Sequence, residues 1–191
     1  LITYGSHSDA LIVGELSHLD PFVHFSWHNH SYHSPILSTH LVGKYNFNNF
    51  LVAIAFGNIF KVSETDINDA VSGYVPQNNR SQVTKTNDNT VIVDCYNANP
   101  SSMKSALESF SEIQAEEKMA ILGDMLELGA ESVSEHQAII DLCHDLNIPF
   151  VTVGPIFKGI HPEGFENQES FRAQWPENNL KNHLILLKGS R

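Results

Sequence analysis

Residues 90–103 read TVIVDCYNANPSSM, and this stretch decides the fold of the second half of the chain. Its apolar start, from Thr90 to Tyr96, is rich in β-branched residues and typical of a strand. Asn99 is a favourable N-cap residue, and Pro100 suits the first position of a helix. Apolar residues then recur with helical spacing, at Met103, Ala106, Leu107, Phe110 and Ile113. We therefore predict a strand, a short loop and a helix that packs one face against a sheet.

Strand and helix patterns alternate on both sides of this stretch. Residues 81–86 pair with 90–96 in a predicted hairpin around Asn87-Asp88-Asn89. Further strands are predicted at 118–123, 149–154 and 183–187, and a helix at 131–146. Four residues of that helix are expected to face the sheet: Ile139, Leu142, Cys143 and Leu146. The fold class is therefore α/β, with a Rossmann-like domain whose sheet is mainly parallel.

The first forty residues predict antiparallel strands instead. Val23, Phe25 and Trp27 alternate with polar neighbours, a pattern typical of strands with one face in water. The region contains no Lys or Arg and holds most of the histidines. His28 and His30 project from the same side of a strand, which a metal ion could exploit. No cysteine lies nearby, so we favour solvent-facing histidines and predict no metal site.

Two helices and a connector follow. The run 46–60 is apolar all round, which predicts a helix buried on every side. Ser63 suits the N-cap of a second helix, which ends before Pro76. The polar stretch 77–80 comes next and is the best candidate for a domain boundary. We therefore expect two units, 1–79 and 80–191.

Charge and composition exclude several classes of protein. The 191 residues carry 22 acidic and 11 basic side chains, a formal charge of −11, which argues against a nucleic-acid partner. No run approaches the roughly 18 consecutive apolar residues of a spanning helix, so no membrane partner is expected. Two cysteines cannot form a disulfide framework and suit a reducing compartment, so we expect a cytoplasmic protein. The chain starts without methionine inside a predicted strand, which we interpret as a fragment of something longer.

Several nucleotide-binding and catalytic motifs are absent from the sequence. Gly43-Lys44 resembles the end of a phosphate-binding P-loop, but Ser38 replaces its first glycine and Tyr45 replaces its Ser or Thr. The sequence has no G-x-G-x-x-G fingerprint, no G-x-S-x-G nucleophile elbow and no H-E-x-x-H zinc helix. It therefore offers no P-loop and no support for NAD.

Polar residues after the predicted strands are the candidate functional residues. Ligands of parallel sheets bind beyond the carboxyl ends of the strands, which places the loops 94–100 and 123–129 at the binding edge. Asp94 can accept hydrogen bonds from a ribose or orient a cation. Asn97 and Asn99 suit a carboxylate or phosphate at a helix N-terminus. Capping and turning the chain is an equally good explanation of all three.

Two further candidates lie outside that loop. Asp124 and Glu127, three positions apart, could bind an ammonium group or magnesium, although a solvated acidic loop has the same pattern. Arg80 lies in the polar connector with few other cations around it, which suits a phosphate.

Five segments together resemble the Mur ligases of peptidoglycan synthesis. They are Tyr45–Asn49, Asn78–Gln82, Asp94–Met103, Gly123–Gly129 and Lys188–Arg191, in the family's order. The third and fourth resemble the D-x-Y-N-A-N-P-x-S-M and G-D-M-x-E-L-G loops of the members that add D-Ala-D-Ala. The resemblance implies that residues 1–79 are the C-terminal part of a central ATP-binding domain. Residues 80–191 are then the C-terminal Rossmann-like ligase domain, truncated at its end.

The resemblance implies an ATP-dependent amide ligase. ATP converts the carboxylate of UDP-muramoyl tripeptide to an acyl phosphate, and the amine of D-Ala-D-Ala then displaces phosphate. Mg²⁺ is also implied, with ligands mostly outside this chain, as are the P-loop and the domain that binds the UDP-sugar. We therefore expect the chain alone to be inactive, and we expect a monomer whose partners are small-molecule substrates.

The resemblance also implies roles for individual residues. Those expected around ATP are Tyr45, Asn46 and Asn49 at the adenine, Asp94 at the ribose, Arg80 at the phosphates and Tyr96 beside the nucleotide. Those expected near the dipeptide are Asn97, Asn99, Asp124, Glu127 and Ser190. Arg80 and Lys188 are the expected catalytic residues.

One departure and two alternatives stay open. The family usually has histidine before the adenine-contacting asparagine, where this chain has Tyr45. A sister Mur ligase or a folylpolyglutamate synthase that adds another amino acid is the first alternative. The loop 97–100 favours the members that add the dipeptide. A non-catalytic module that binds a nucleotide or an amino acid is the second alternative.

Overall fold

A computed structural model of the chain describes residues 2–175 and 180–190. The chain divides into two compact units, Leu1–Pro76 and Gln77–Arg191. Among the described residues, no helix combines the length and the apolar character that crossing a bilayer requires.

The first unit is a four-stranded sheet covered by two helices. Its strands are β1 (Tyr4–Gly5), β2 (Ile12–Leu19), β3 (Phe22–His28) and β4 (Leu37–Val42), and its helices are α1 (Tyr45–Ile59) and α2 (Glu64–Gly73). The strands lie in chain order, with β1 parallel to β2 and the other pairs antiparallel. Val23, Phe25 and Trp27 of β3 are fully buried while their neighbours are partly exposed, which confirms the predicted alternation.

The prediction that α1 is buried on every side is wrong. One face packs Phe47, Phe50, Leu51 and Ile54 into the core of the unit, but Phe56 is 56% exposed. Apolar composition alone does not show which side a sheet covers, and the sheet of this unit lies against one side only. The prediction for α2 is confirmed, since the Ser63 hydroxyl accepts a hydrogen bond from the Asp66 amide at 3.2 Å.

The second unit is the predicted α/β domain. Its strands are β5 (Gln82–Lys85), β6 (Thr90–Asp94), β7 (Glu117–Gly123), β8 (Phe150–Val153) and β9 (His183–Lys188). Its helices are α3 (Pro100–Glu112), α4 (Ser132–Asp145), α5 (Pro155–Ile160) and α6 (Gln168–Gln174). The sheet order is β5-β6-β9-β7-β8, in which β5 is antiparallel to β6 and every other neighbouring pair is parallel. The mainly parallel sheet is therefore confirmed.

The helices of this unit follow their sequence signals closely. Asn99 caps α3 by accepting a hydrogen bond from the Ser102 amide at 2.8 Å, and Pro100 is its first residue. All five apolar residues predicted for the buried face of this region are buried. In α4 the buried face is rotated from the prediction: Leu142 and Leu146 are only partly buried, while His136 and Ile140 are buried beside Ile139 and Cys143.

Candidate functional site

Three neighbouring parallel strands end at one edge of the second sheet. β6 ends at Asp94, β9 at Lys188 and β7 at Gly123, and β9 lies between the other two. A Cβ atom placed on Gly189 would lie 2.8 Å from the Cα atom of Gly123, so the two backbones touch where their strands end. The β6 loop (residues 94–100) and the β7 loop (residues 123–129) therefore leave the sheet on either side of Gly189, at the edge predicted for ligands.

A buried ion pair joins the ends of β6 and β9. The Lys188 ammonium lies 2.7 Å from Oδ2 of Asp94, and the lysine side chain is only 2% exposed. The other carboxylate oxygen of Asp94 accepts a hydrogen bond from the Ser81 amide at 3.1 Å. Both oxygens of Asp94 are thus engaged within the unit, and the Lys188 ammonium is directed to Asp94 instead of solvent. Such pairs are costly to break, because the remaining charge is left buried.

Arg80 is exposed at the tip of a sharply turned connector. Asn79 and Ser81 both have left-handed backbone, with φ of 56° and 51°. The connector is attached to the end of β6, because the Cys95 amide donates to the carbonyl of Asn79 at 2.9 Å. The Arg80 guanidinium carbon lies 3.7 Å from the centre of the Tyr96 ring. Stacking on the ring holds the guanidinium in place while its donors stay available to an anion.

The two asparagines of the β6 loop have different surroundings. Asn99 is committed to capping α3, since Oδ1 also accepts from the Ser101 hydroxyl at 2.9 Å. Asn97 uses Oδ1 to accept from the Ala98 amide at 2.9 Å, and its side chain lies at the exposed edge. The structure therefore leaves Asn97 better placed than Asn99 to meet a ligand.

Ser190 links the two loops across β9. Its hydroxyl accepts a hydrogen bond from the Leu126 amide at 3.2 Å and lies 3.3 Å from the carbonyl oxygen of Ala98, to which it donates. Its own amide donates to the carbonyl of Asp124 at 3.0 Å. The predicted dipeptide residue Ser190 therefore holds the β6 loop and the β7 loop together.

Asp124 is turned toward the interior of the unit. Its two carboxylate oxygens accept hydrogen bonds from the amides of Ile156 and Phe157, both at 2.9 Å. Ile156 and Phe157 lie in the first turn of α5. Gly154, with φ of 141°, directly precedes this helix, and a side chain at Gly154 would collide with the Asp124 carboxylate. Asp124 thus caps α5 from a different strand end, where a negative charge is favourable.

Glu127 is exposed, in contrast to Asp124. It has left-handed backbone with φ of 67°, an uncommon conformation for a residue other than glycine. Of the two acidic residues predicted in the β7 loop, the structure therefore exposes only Glu127 at the open edge.

His136 of α4 belongs to this region and was missed by the sequence analysis. Its side chain is fully buried, and Nε2 accepts a hydrogen bond from the Met125 amide at 2.9 Å. Nδ1 lies 2.7 Å from the carbonyl oxygen of Ser132, and the ring stands edge-on to Phe157. The available signal was helical spacing, because His136 precedes Ile139, Ile140 and Cys143 on one face.

The predicted adenine residues lie in the first unit, at the start of α1. Asn46 is buried and donates from Nδ2 to the carbonyl of Val42 at 2.7 Å. Its Oδ1 accepts from the Asn49 amide group at 3.0 Å. Gly43, with φ of 95°, turns the chain from β4 into the helix, and the Tyr45 ring lies against it. Tyr45, Asn46 and Asn49 therefore form a local group at this turn.

No metal centre is evident in the parts of the chain that the structure describes. There, no three His, Cys, Asp or Glu side chains are grouped so that they could hold a metal ion. The rings of His28 and His33 stack 4.6 Å apart, and His30 is exposed. Burial raises the pKa of the Cys95 thiol, and it raises the pKa of Cys143 to about 12, so neither is prepared to act as a thiolate.

Comparison with known proteins gives a consistent picture. The family model described as "Mur ligase, glutamate ligase domain" matches residues 79–191. The UDP-N-acetylmuramoyl-tripeptide–D-alanyl-D-alanine ligase of Bacillus subtilis (strain 168) is 30% identical over 165 residues, covering 79% of this chain and 36% of that protein. The protein of the same name from Rickettsia prowazekii is 34% identical over 121 residues, covering 59% of this chain and 27% of its own length. The matched part of the chain thus spans between about a quarter and about a third of the length of these relatives.

Solved structures agree with this match. The UDP-N-acetylmuramoylalanyl-D-glutamyl-2,6-diaminopimelate–D-alanyl-D-alanyl ligase from Acinetobacter baumannii superposes with a TM-score of 0.80 at 25% identity, over 100% of this chain and 43% of that one. MurF ligase from Thermotoga maritima in complex with ADP superposes with a TM-score of 0.77 over 100% of this chain and 45% of that one. The latter is only 14% identical and shares the fold.

Proposed function

Since this chain belongs to the Mur ligase family, we propose that the complete gene product containing it is an ATP-dependent amide ligase. In this proposal it adds D-alanyl-D-alanine to UDP-N-acetylmuramoyl tripeptide. The main support is that relatives matched along most of the chain are named UDP-N-acetylmuramoyl-tripeptide–D-alanyl-D-alanine ligase. They come from bacteria as different as Bacillus subtilis and Treponema pallidum. We further propose a cytoplasmic monomer, with residues 1–79 ending a central ATP-binding domain and residues 80–191 forming the ligase domain.

The chemistry asks the protein to bring two substrates and ATP together. ATP supplies the phosphoryl group that converts the tripeptide carboxylate to an acyl phosphate, which the dipeptide amine attacks with release of phosphate. The work of this chain is then to bind and orient these groups, which can lower the barrier of such reactions by about 7–11 kcal/mol. Arg80, an exposed cation, and Glu127, an exposed carboxylate, lie at one edge of the sheet. Arg80 suits the phosphate groups of ATP, and Glu127 suits the ammonium group of the dipeptide.

Arg80 and Tyr96 are the proposed phosphate side of the site. The guanidinium is held against the ring at 3.7 Å and keeps its forked donors available. Such a fork matches phosphate oxygens in pairs, which a lysine cannot do. Asp94 is the proposed ribose contact, and Lys188 fixes its carboxylate at 2.7 Å. Lys188 thus contributes to catalysis through Asp94.

Glu127 and Asn97 are the proposed contacts of the dipeptide. The exposed carboxylate of Glu127 suits the ammonium group of the incoming amine, and the Asn97 amide suits its carboxylate. Asn99, Asp124 and Ser190 support them, because each holds a loop by the hydrogen bonds described above. In the first unit we propose Tyr45 and Asn49 as adenine contacts, with Asn46 fixing Asn49 at 3.0 Å.

The residues that the structure describes do not fit a magnesium site. Among the described residues, no suitable group of three ligands exists. The carboxylates of Asp94 and Asp124 are engaged with an ammonium and with backbone amides. We therefore assign no step of the reaction to Mg²⁺ on this chain.

Phosphate release from ATP by the complete gene product tests the proposal. It is measured with UDP-muramoyl tripeptide and D-Ala-D-Ala, together and singly. Release that requires both substrates is the expected result. Release with a single amino acid in place of the dipeptide indicates a sister ligase, and no release with any acceptor favours a binding module.

A matched pair of arginine variants tests the site. Arg80→Ala is expected to lower kcat/KM for ATP about 100-fold, since a positioned donor to developing charge is lost. Arg172→Ala removes an exposed arginine on α6 and is expected to have no effect. Equal activity of the two variants would exclude Arg80 from the site.

A further inference from the structure

We propose that His136 is a positioning residue for ligation: its neutral ring holds the Met125 amide and thereby sets the β7 loop that presents Glu127. The proposal rests on the proposed function, because the loop matters for catalysis only if Glu127 meets the amine substrate. His136 touches no substrate in this proposal and acts through the backbone of the loop.

The hydrogen bonds of His136 define which ring nitrogen carries a hydrogen. Nε2 accepts from the Met125 amide at 2.9 Å, so this nitrogen carries no hydrogen. Nδ1 must then carry the hydrogen, which it donates to the Ser132 carbonyl at 2.7 Å. A proton added at Nε2 would face the N–H of Met125 and break this bond. The Asp124 carboxylate lies 3.7 Å from Nε2.

Burial rules out a role in carrying protons to a substrate. The His136 side chain and the Met125 side chain are both fully buried. Both ring nitrogens are occupied by backbone groups of the protein itself. Leaving a fully buried amide without a hydrogen-bond acceptor lowers the free energy of unfolding. This explains why a polar ring occupies an otherwise apolar position.

Three consecutive residues before Glu127 are anchored by different elements. Asp124 is held by the first turn of α5, Met125 by His136 of α4, and Leu126 by the hydroxyl of Ser190. Glu127 follows with left-handed backbone, at φ of 67°. The direction of its carboxylate therefore depends on the anchor at Met125, two residues earlier. A shift of about 1 Å in such a group can cost about 100-fold in rate.

Two conservative variants separate the two hydrogen bonds of the ring. His136→Gln can place its amide oxygen where Nε2 lies, so it can still accept from Met125. His136→Asn can reach only the position of Nδ1, so it leaves the Met125 amide without an acceptor. His144→Asn makes the same change at an exposed position of the same helix and serves as the control.

Steady-state kinetics of the complete gene product give the first readout. We expect His136→Asn to lower kcat/KM for D-Ala-D-Ala by about 10- to 100-fold, with the KM for ATP unchanged. His136→Gln is expected to recover most of this loss, and His144→Asn to behave as the wild type. Equal loss in the Gln and Asn variants, or loss in neither, overturns the proposal.

Nitrogen-15 NMR of labelled histidine gives a readout that needs no activity. We expect His136 of the wild type to carry its hydrogen on Nδ1 at neutral pH. A hydrogen on Nε2, or a charged ring, overturns the proposal even if ligation is observed. If the wild type does not ligate, the proposed function fails, and the tautomer still decides whether His136 holds Met125.

Discussion

The β6 loop and the β7 loop lie at one edge of the same sheet but are held in place differently. In the β6 loop, Asn99 caps the helix that starts at the next residue. The Ser102 hydroxyl accepts a hydrogen bond from the Asn99 amide, which completes a capping box. In the β7 loop, Asp124 caps α5, more than thirty residues further along the chain, and His136 holds Met125 from α4. The β6 loop also contacts the end of β9, through Lys188 and Ser190, but the helix that it caps is its own. The β7 loop depends in addition on two helices that come later in the chain, so we expect it to be more sensitive to changes in remote elements.

The Asp94–Lys188 pair offers the largest test, because it supports the β6 loop from a remote strand. Lys188→Met leaves the largely buried Asp94 carboxylate with the Ser81 amide but without a cation, and is expected to cost about 3–5 kcal/mol in the free energy of unfolding. The double variant Asp94→Asn, Lys188→Met removes both charges and is expected to cost clearly less. The measurement is urea unfolding of the complete gene product, followed in the transition of this domain.

The outcome bears directly on the comparison. A single-variant loss below about 1 kcal/mol would show that the pair behaves like an exposed one. In that case the β6 loop depends mainly on residues near it in the sequence, and the difference between the two loops is larger than the ion pair suggests.

Gly154→Ala tests how far the β7 loop depends on α5. The substitution adds a side chain against the Asp124 carboxylate at a φ of 141°, and is expected to cost about 1–3 kcal/mol. Ligation should fall as well, since Asp124 must move. Gly159→Ala is the control, because nothing lies within 4 Å of its added Cβ atom. Unchanged ligation in Gly154→Ala would mean that the β7 loop does not need its cap on α5.

Sequence patterns predicted the parts of the site that depend on near neighbours. The strand ends, the Asn99 cap and the buried face of α3 could all be predicted because the interacting residues lie within a few positions of one another. The partners of Asp124 and Lys188 could not, because the chain returns to them only after 32 to 94 residues. Asp124 therefore resembled a ligand in the sequence and is a helix cap in the structure.

The same limit explains the two errors of orientation. Apolar composition predicted α1 correctly as a helix but gave no information on which side the sheet covers. In α4, a buried histidine was overlooked since histidine is not an apolar residue, although its spacing matched the buried face.

Asn99→Ala tests the local support of the β6 loop. Loss of the cap is expected to cost about 1 kcal/mol, since two hydrogen bonds at the start of α3 disappear. Asn167 caps α6 through a capping box with Ser170. Asn167→Ala therefore removes the same kind of cap at another helix and serves as the control. Both should lower stability by similar amounts, measured by thermal unfolding. Only Asn99→Ala should also lower ligation; equal activity would place the cap outside the site.

Lys118→Met gives the smallest expected effect and tests the C-terminal end of α3. The Lys118 ammonium donates to the carbonyls of Phe110 and Ser111, at 3.0 and 2.9 Å, where the helix dipole favours a cation. Its loss is expected to cost about 0.3–1 kcal/mol and to leave ligation unchanged. Lys104→Met, at an exposed position of α3, should have no measurable effect on unfolding. A loss of ligation in Lys118→Met would show that the β6 loop responds to changes beyond its cap.

The position of β9 in the sheet has a consequence for synthesis on the ribosome. Of the five strands that the structure describes in this sheet, β9 comes last in chain order, yet it lies between β6 and β7, which pair with it and not with each other. Until residues 183–188 have left the exit tunnel, the nascent domain has two unpaired strand edges at its centre. Edges of this kind pair readily with other chains, so we expect the domain to be prone to aggregation until β9 is inserted between β6 and β7.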